Sequence, residues 1–104
     1  VQGVFRTSDG GDSWNEVNSS QLIKVGFHWW FRGIYVDPAD EDIIYNVDFV
    51  VQKSVTGGSS WYTAFPGVHV DQHALAFNAQ KDNEILLGND GGVYRSNDDG
   101  ETST

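Results

Sequence analysis

The residues of this chain that could do chemistry are its three histidines and a few acids, amides and tryptophans. They are His28, Trp29, Trp30, His69, Asp71, His73, Asn89 and Asp90. Imidazole changes charge near neutral pH, and carboxylates accept protons or hydroxyl hydrogens. An indole ring adds a large apolar surface with one polar atom. Three chemistries follow from these residue types: sugar binding, glycoside hydrolysis and metal binding.

Sugar binding would use Trp29 or Trp30 as a stacking surface. Hydroxyl groups of the sugar would be held by Asp71, Asn89 and Asp90. The alternative for the tryptophans is that they pack between sheets, and we favour packing for Trp30. Trp29 therefore stays open as a ligand-binding residue.

Glycoside hydrolysis normally needs two carboxyl groups separated by about 5 to 9.5 Å. Asp71 and Asp90 are the pair that we nominate as catalytic acid and base. The alternative is that Asp90 is only part of a glycine-rich turn, because Gly91 and Gly92 follow it. A sialidase would also need clustered arginines for its substrate carboxylate, and the arginines here are spread over separate strands.

Metal binding would use Asp71 and His73, with Asp90 or His69 as a further ligand. Alternate residues of a strand project to the same face, and imidazole with carboxylate suits zinc or another divalent ion. The alternative is that His73 is a hydrogen-bonded residue without a ligand role. We adopt that alternative and predict no metal and no cofactor.

The overall charge of the chain excludes several classes of partner. Fifteen acids against six lysines and arginines give a net charge of -9. Such a surface argues against nucleic acid, whose phosphates require basic residues, and against anionic membranes. There is no cysteine, which excludes disulfides and thiol catalysis. No apolar run reaches the length of a membrane-spanning helix, so we predict no membrane insertion.

A turn motif occurs three times and predicts the elements that position these residues. The first box covers residues 7–14 (Thr-Ser-Asp-Gly-Gly-Asp-Ser-Trp), and the second covers residues 54–61 (Ser-Val-Thr-Gly-Gly-Ser-Ser-Trp). The third covers residues 96–103 (Ser-Asn-Asp-Asp-Gly-Glu-Thr-Ser). A spacing between roughly 20 and 50 residues is typical of repeat architectures.

The residue types of the boxes fit a tight turn between antiparallel strands. Such a turn needs residues that tolerate positive φ, and aspartate side chains can accept bonds from backbone N–H groups within it. Each tryptophan is expected to bury its ring between neighbouring strands. The residues predicted to have this structural role are Asp9, Gly11, Trp14, Gly58, Trp61, Asp98 and Gly100.

Each repeat divides into four short strands, A to D, bounded by Gly, Asp, Asn and Pro. Residues 1–20 are predicted to hold strands C and D of one blade, residues 27–66 a complete blade, and residues 70–104 strands A to C of the next. An offset of 42 residues aligns Ile43–Tyr45 with Ile85–Leu87. The predicted fold is an all-β, partial β-propeller of about two four-stranded blades, with the boxes between strands C and D.

Strand direction places the candidate residues at one end of this fold. The A–B and C–D turns of an up-and-down sheet lie at one end, so the boxes lie there. The B–C turns and the D-to-A crossovers lie at the opposite end, which we call the crossover end. It collects residues 24–30, 46–50, 66–73 and 88–92. All candidate residues fall there, and loops on a rigid scaffold usually carry sites. The predicted ligand-binding residues are His28, Trp29, His69, His73 and Asn89.

The box pattern Ser/Thr-x-Asp-x-Gly-x-Thr-Trp resembles that of Asp-box proteins, also called bacterial neuraminidase repeats. They include sialidases, xyloglucanase-type glycoside hydrolases, sortilin-type receptors and photosystem assembly factors. The stretches Val-Asp-Gln-His-Ala-Leu (70–75) and Gly-Asn-Asp-Gly-Gly-Val-Tyr-Arg-Ser (88–96) look most like secreted bacterial proteins with sortilin- or xyloglucanase-like propellers. In xyloglucanase-type relatives the acid and the base come from two propellers that face one cleft. The resemblance implies the fold and leaves the activity open.

Propellers close with about 4 to 8 blades, so we expect the remaining blades to come from the same parent chain or from other subunits. The chain contains no methionine, so we do not expect Val1 to be a translation start. We predict a secreted or cell-surface module that recognises a glycan or a protein. The alternatives are a glycoside hydrolase with Asp71 and Asp90, and a structural or assembly-factor propeller without a ligand.

Overall fold

A computed structural model describes residues 3–18, 20–22 and 33–104, and these residues form three antiparallel sheets and no helix. The first sheet pairs β1 (Phe5–Arg6) with β2 (Asn15–Glu16). The middle sheet has the order β3 (Ile34–Val36), β4 (Ile44–Val47), β5 (Val51–Ser54) and β6 (Tyr62–Ala64). The last sheet has the order β7 (Gln72–Phe77), β8 (Ile85–Asn89) and β9 (Gly92–Ser96). His28, Trp29 and Trp30 lie outside the described residues.

Every sheet is a meander, because each strand pairs with its neighbours in sequence. Within the described ranges no helix has the length and apolar character to cross a lipid bilayer. Short strands separated by turns rich in Gly, Asp and Asn produce this arrangement, since each turn reverses the chain and returns it to the preceding strand.

The strands of the middle and last sheets pair in the same register, and this pairing corrects the alignment made from the sequence. Ile44 pairs with Ser54 as Ile85 pairs with Ser96, so the alignment of Ile43 with Ile85 is wrong by one residue. The difference lies in the B–C turn: residues 48–50 connect a pair of valines in the middle sheet, whereas residues 89–92 occupy the same place in the last. The candidate Asp90 therefore sits in a longer turn than its counterpart.

Besides its three strands, the last sheet has one further backbone pairing, at Thr104. The backbone of Thr104 exchanges two hydrogen bonds with Arg95, both of 2.9 Å. Lys53 and Tyr62 form the equivalent pair in the middle sheet. The pairing places Thr104 where strand D of a complete four-stranded sheet would start.

The core lies between the middle and last sheets. Its buried members, each at most 6 % exposed, are Tyr45, Val47, Val51, Ala64, Phe65, Leu75, Ile85 and Leu87. Alternate residues of β4, β5 and β8 supply this face, and the Tyr45 ring lies 5.7 Å from that of Phe77. Burial of each large apolar side chain contributes roughly 1.5–3 kcal/mol. The contact between the sheets therefore stabilises the loops at both of their ends.

Each box closes its turn with the same two backbone bonds. The hydroxyl at its first position accepts a bond from the N–H of the glycine four residues later, at 2.8–2.9 Å. The side chain at its third position accepts a bond from a second N–H, at 2.8–3.0 Å. Gly11, Gly58 and Gly100 have φ values of 99, 97 and 84°, which L side chains rarely adopt. Local side-chain chemistry thus defines the turn in all three copies.

The boxes also join one sheet to the next. The carbonyl of Gly58 accepts a 3.0 Å bond from the N–H of Asn18, and the carbonyl of Gly100 accepts a 2.7 Å bond from Phe65. Asn18 and Phe65 each follow the last strand of the preceding sheet. The Trp61 indole N–H donates to the Asn18 carbonyl at 2.7 Å. The second and third boxes are therefore contacts between sheets as well as turns.

The expectation that both box tryptophans are buried is correct for Trp61 and wrong for Trp14. Trp61 is 6 % exposed, whereas Trp14 is 58 % exposed. Trp61 is covered by the segment around Asn18, which follows the first sheet. Within the described ranges nothing covers Trp14 in the same way. Its burial would need a sheet on that side.

Candidate functional site

Three loops converge at the crossover end. The Asp71 N–H donates to the Phe49 carbonyl at 3.0 Å, and the Gln72 N–H donates to the Asp48 carbonyl at 3.0 Å. On the other side, the Asp90 N–H donates to the Asp71 carbonyl at 3.3 Å. The crossover between the sheets is therefore bonded to the B–C turns of both. His69, Asp71, His73, Asn89 and Asp90 come together here.

His73 and Asp90 form an exposed ion-pair geometry, with 2.7 Å between imidazole Nε2 and carboxylate Oδ1. The side chains are 38 % and 50 % exposed. A β-bulge lies between Gln72 and Ala74, and bulges commonly redirect a side chain beside a site. The parity argument that put Asp71 and His73 on one strand face therefore fails.

Asp71 itself lies just before β7 in a left-handed backbone conformation, with φ of 66°. Aspartate is one of the few residues that adopt this region with ease. The backbone bond between Asp71 and Asp90 makes these two nominated catalytic residues neighbours. Their carboxylates have different surroundings, because that of Asp90 accepts the bond from His73.

Gln72 and Asn89 support the loops from beneath, and sequence reasoning missed Gln72. The Gln72 amide donates to the His69 carbonyl at 2.7 Å and to the Phe49 carbonyl at 3.3 Å. Asn89 Nδ2 donates to the same His69 carbonyl at 2.8 Å and to Gln72 Oε1 at 3.1 Å. Both side-chain amides therefore hydrogen-bond to the loops and hold them in place. Strict alternation would put Gln72 on the exposed face with Ala74 and Ala76, and the bulge reverses this, so the sequence carried no signal for its burial.

His69 packs over the glycine turn of the last sheet. A Cβ atom at Gly91 would lie 2.5 Å from the His69 Cβ, so a side chain there would displace the loop. The His69 ring shares a hydrogen bond of 2.8 Å between Nδ1 and the Val70 carbonyl. His69 is exposed, and its ring flanks the turn that carries Asp90.

In the ranges 3–18, 20–22 and 33–104, no group of three or more histidines and acids is placed to hold a metal ion. The geometry thus lends no support to the chelation alternative for Asp71, His73 and Asp90. Buried side-chain polar atoms in these ranges all have hydrogen-bond partners. The polar groups that remain accessible to a ligand are at the loop surface.

A groove of about 210 Å³ lies at the box end, between the A–B turns of the middle and last sheets. Its carboxylates serve the turns: Asp37 accepts from two backbone N–H groups, and Glu84 accepts from Asn78 and Lys81. These contacts with Asn78 and Lys81 lower the pKa of Glu84. The groove carries none of the candidate residues that the structure describes, because these lie at the opposite end.

The crossover end can therefore present an imidazole–carboxylate pair on a fixed support. Such a pair can exchange hydrogen bonds with hydroxyl or peptide groups, because imidazole donates and carboxylate accepts. It can also move a proton if a reacting group lies within hydrogen-bond distance. Recognition needs only the hydrogen bonding, whereas hydrolysis needs the proton transfer together with a second carboxyl group.

No protein-family model and no curated protein matches the chain. Among solved structures, the chain is similar to the crystal structure of a GH74 enzyme from Niastella koreensis, with a TM-score of 0.74 and 24 % sequence identity. The match covers 98 % of this chain and 18 % of that enzyme chain. The likeness shows the fold, which is an all-β, partial propeller.

Proposed function

We propose that this chain is an extracellular Asp-box propeller module that recognises a glycan or a protein through its crossover end. The observation that carries the proposal is the exposed His73–Asp90 pair, 2.7 Å apart, on loops fixed by Gln72 and Asn89. Fixed donors and acceptors favour recognition because little conformational entropy is lost on binding. The box pattern and the similarity to part of a GH74 enzyme support an assignment to a larger propeller of the secreted type.

A binding comparison of two aspartate variants tests the recognition role. The protein would be screened on a glycan array and in pull-downs from extracellular fractions, and the affinity for any ligand found would be measured. We expect Asp90→Asn and His73→Ala to weaken binding by at least about tenfold, since each removes a hydrogen-bonding group of the exposed pair. Asp82→Asn, at an exposed acid of the box end, is the matched control. Blank screens at high protein concentration would count against recognition, as would equal affinities of the Asp90 and Asp82 variants.

A second candidate is glycoside hydrolysis with Asp71 and Asp90 as acid and base. The backbone bond that makes them neighbours favours it, as does the partial match to a GH74 enzyme. Retaining and inverting mechanisms both need two carboxyl groups in proton transfer or nucleophilic attack. Each Asp→Asn replacement should then lower turnover of a xyloglucan-like polysaccharide by orders of magnitude. Unchanged turnover in both variants would remove this candidate.

A further inference from the structure

The groove at the box end has an apolar floor beside the core. Three turns line it: the A–B turns of the middle and last sheets and the third box. Ile43 and Phe77, which also line it, are partly buried and pack against the core. Its volume of about 210 Å³ is smaller than that of sites for drug-sized ligands, which have about 300–1,000 Å³. The space therefore suits a single side chain.

The groove carries more negative charge than its own lysine neutralises. The Lys81 ammonium lies 3.0 Å from a Glu84 carboxylate oxygen and donates to Asn97 Oδ1 at 2.9 Å. Four further acids line the groove and form no ion pair with any residue that the structure describes: Asp37, Asp40, Asp82 and Asp99. An external cation would therefore be attracted to the groove.

The backbone of Asp99 is held by both sheets. Its N–H donates to the Asn83 carbonyl at 3.1 Å, and its carbonyl accepts from the Tyr45 hydroxyl at 3.0 Å and the Lys53 ammonium at 2.9 Å. Burial raises the pKa of Asp99 above its usual value, the Lys53 charge partly offsets this, and the Asp37 carboxylate raises the pKa further. The ionised Asp99 would therefore gain from another cation in the groove.

We propose that the groove binds an arginine side chain from a basic segment of a partner protein. The methylene stem of the arginine would cover Ile43 and Phe77, since long cationic side chains lie along apolar surfaces. The guanidinium group would bond the carboxylates of Asp37 and Asp99, because its five N–H donors can serve two carboxylates at once. This site lies at the end opposite the proposed recognition site and goes beyond that function.

A guanidinium group suits these acids better than other cations. Among the acids and histidines of residues 3–18, 20–22 and 33–104, no group of three or more is placed to hold one metal ion. The donors of a guanidinium are instead spread over a plane, and the group is more weakly hydrated than an ammonium. An apolar floor favours the cation that loses water more readily. The charge and the floor together therefore select arginine.

Peptide binding by two variants of equal charge tests the proposal. A fluorescent peptide in which arginine alternates with glycine would be titrated with each protein, and the affinity measured by fluorescence anisotropy. We expect Asp99→Asn to weaken binding by at least about tenfold, because it removes a charged acceptor from the groove. Asp12→Asn, at an exposed acid of the first box, changes the net charge equally and should weaken binding by less than about twofold.

A stability measurement separates binding from a structural role. Asparagine tolerates the φ of 58° at position 99. A raised pKa in the folded state means that ionised Asp99 disfavours the fold at neutral pH, so Asp99→Asn should have a Tm equal to or above that of the parent. If its Tm falls, Asp37→Asn decides. This variant keeps the side-chain oxygen that accepts two turn N–H groups, and it should weaken binding by at least about threefold.

A second peptide with lysine in place of arginine separates the guanidinium group from its charge. It should bind at least about fivefold more weakly, and equal affinities would overturn the arginine assignment. Equal losses in the Asp99 and Asp12 variants would show attraction to the net charge alone and overturn the proposal. Failure of the parent to bind at high concentration would also overturn it. Stoichiometric competition by calcium would make the occupant a metal ion, with the same consequence.

The peptide assay and the ligand screen concern opposite ends of the sheets. A blank glycan or protein screen leaves the arginine site standing. Conversely, failure of the peptide assay leaves the crossover end as a recognition surface. The two proposals therefore fail separately.

Discussion

The first and second boxes have the same turn, yet their tryptophans have opposite environments. The indole of Trp61 is 6 % exposed and shares its N–H between two carbonyls, whereas Trp14 is 58 % exposed and donates to the Gly11 carbonyl at 3.1 Å. Turn closure is alike in both, with bonds of 2.8–3.0 Å from the backbone to the third residue. The difference therefore comes from the neighbouring segment. Each box therefore makes two kinds of contact. Its own side chains close the turn, whereas the contact between sheets requires a preceding sheet.

Replacing each of the two tryptophans with alanine should distinguish turn closure from the contact between sheets, and it has the largest expected effect on stability. Trp61→Ala should lower the free energy of unfolding by about 3–5 kcal/mol, because a buried aromatic ring is lost. Trp14→Ala should cost less than about 1 kcal/mol, because most of the ring is already in water. Urea unfolding followed by far-UV circular dichroism measures both.

A conservative replacement provides the control for Trp61. Trp61→Phe keeps the apolar ring and removes the N–H that reaches Asn18, so about 1–2 kcal/mol should be lost. Equal losses of stability in the Trp14 and Trp61 alanine variants would show that the contact between sheets adds no stability beyond that of the turn.

Two glycines extend the comparison to a covered and an open position of the boxes. Gly10 has φ of 72° and space for a Cβ atom, whereas Gly100 has φ of 84° and the Phe65 ring would lie 2.7 Å from its Cβ. Both alanine variants pay for the left-handed backbone, about 1 kcal/mol. Gly100→Ala should reach about 2–4 kcal/mol, because Phe65 is buried and must move. Denaturant midpoints at equal m-values measure the difference.

A small loss for Gly100→Ala would mean that Phe65 moves without cost. The variant Gly100→Ala/Phe65→Leu decides between the explanations, since a smaller side chain at 65 should recover part of the loss only if the clash is its cause. Gly10→Ala with the same Phe65→Leu background should show no recovery.

Periodicity and turn chemistry predicted the strands because they are local properties. The predicted strands C, which lead into the first and third boxes, are found as β1 and β9, since a turn signal bounds each of them. The alignment error at Ile44 arose because a one-residue difference in a B–C turn leaves the composition of the strands unchanged. Strand length alone does not reveal where such a residue is placed.

The candidate site was predictable in location and less so in geometry. Strand direction alone puts His73 and Asp90 at the same end, and the structure brings them to 2.7 Å. The bulge beside His73 and the buried amide of Gln72 depend on packing between loops that are distant in sequence. The burial of Trp61 and the exposure of Trp14 likewise depend on neighbours rather than on the motif.

The smallest expected effect concerns the carboxylate that the second box lacks. Hydrogen bonds from the hydroxyl and the N–H of Thr102 lower the pKa of Asp98 from 3.8 to about 2, whereas the second box has Thr56 in this place. A depressed pKa in the folded state stabilises the fold above the unfolded value and loses that contribution as pH falls from about 4 to 2. The stability difference between the parent and Asp98→Asn should therefore shrink between pH 5 and pH 2, as measured by urea unfolding. Asp82→Asn is the control, and a difference that is independent of pH would show that the carboxylate acts through its shape rather than its charge.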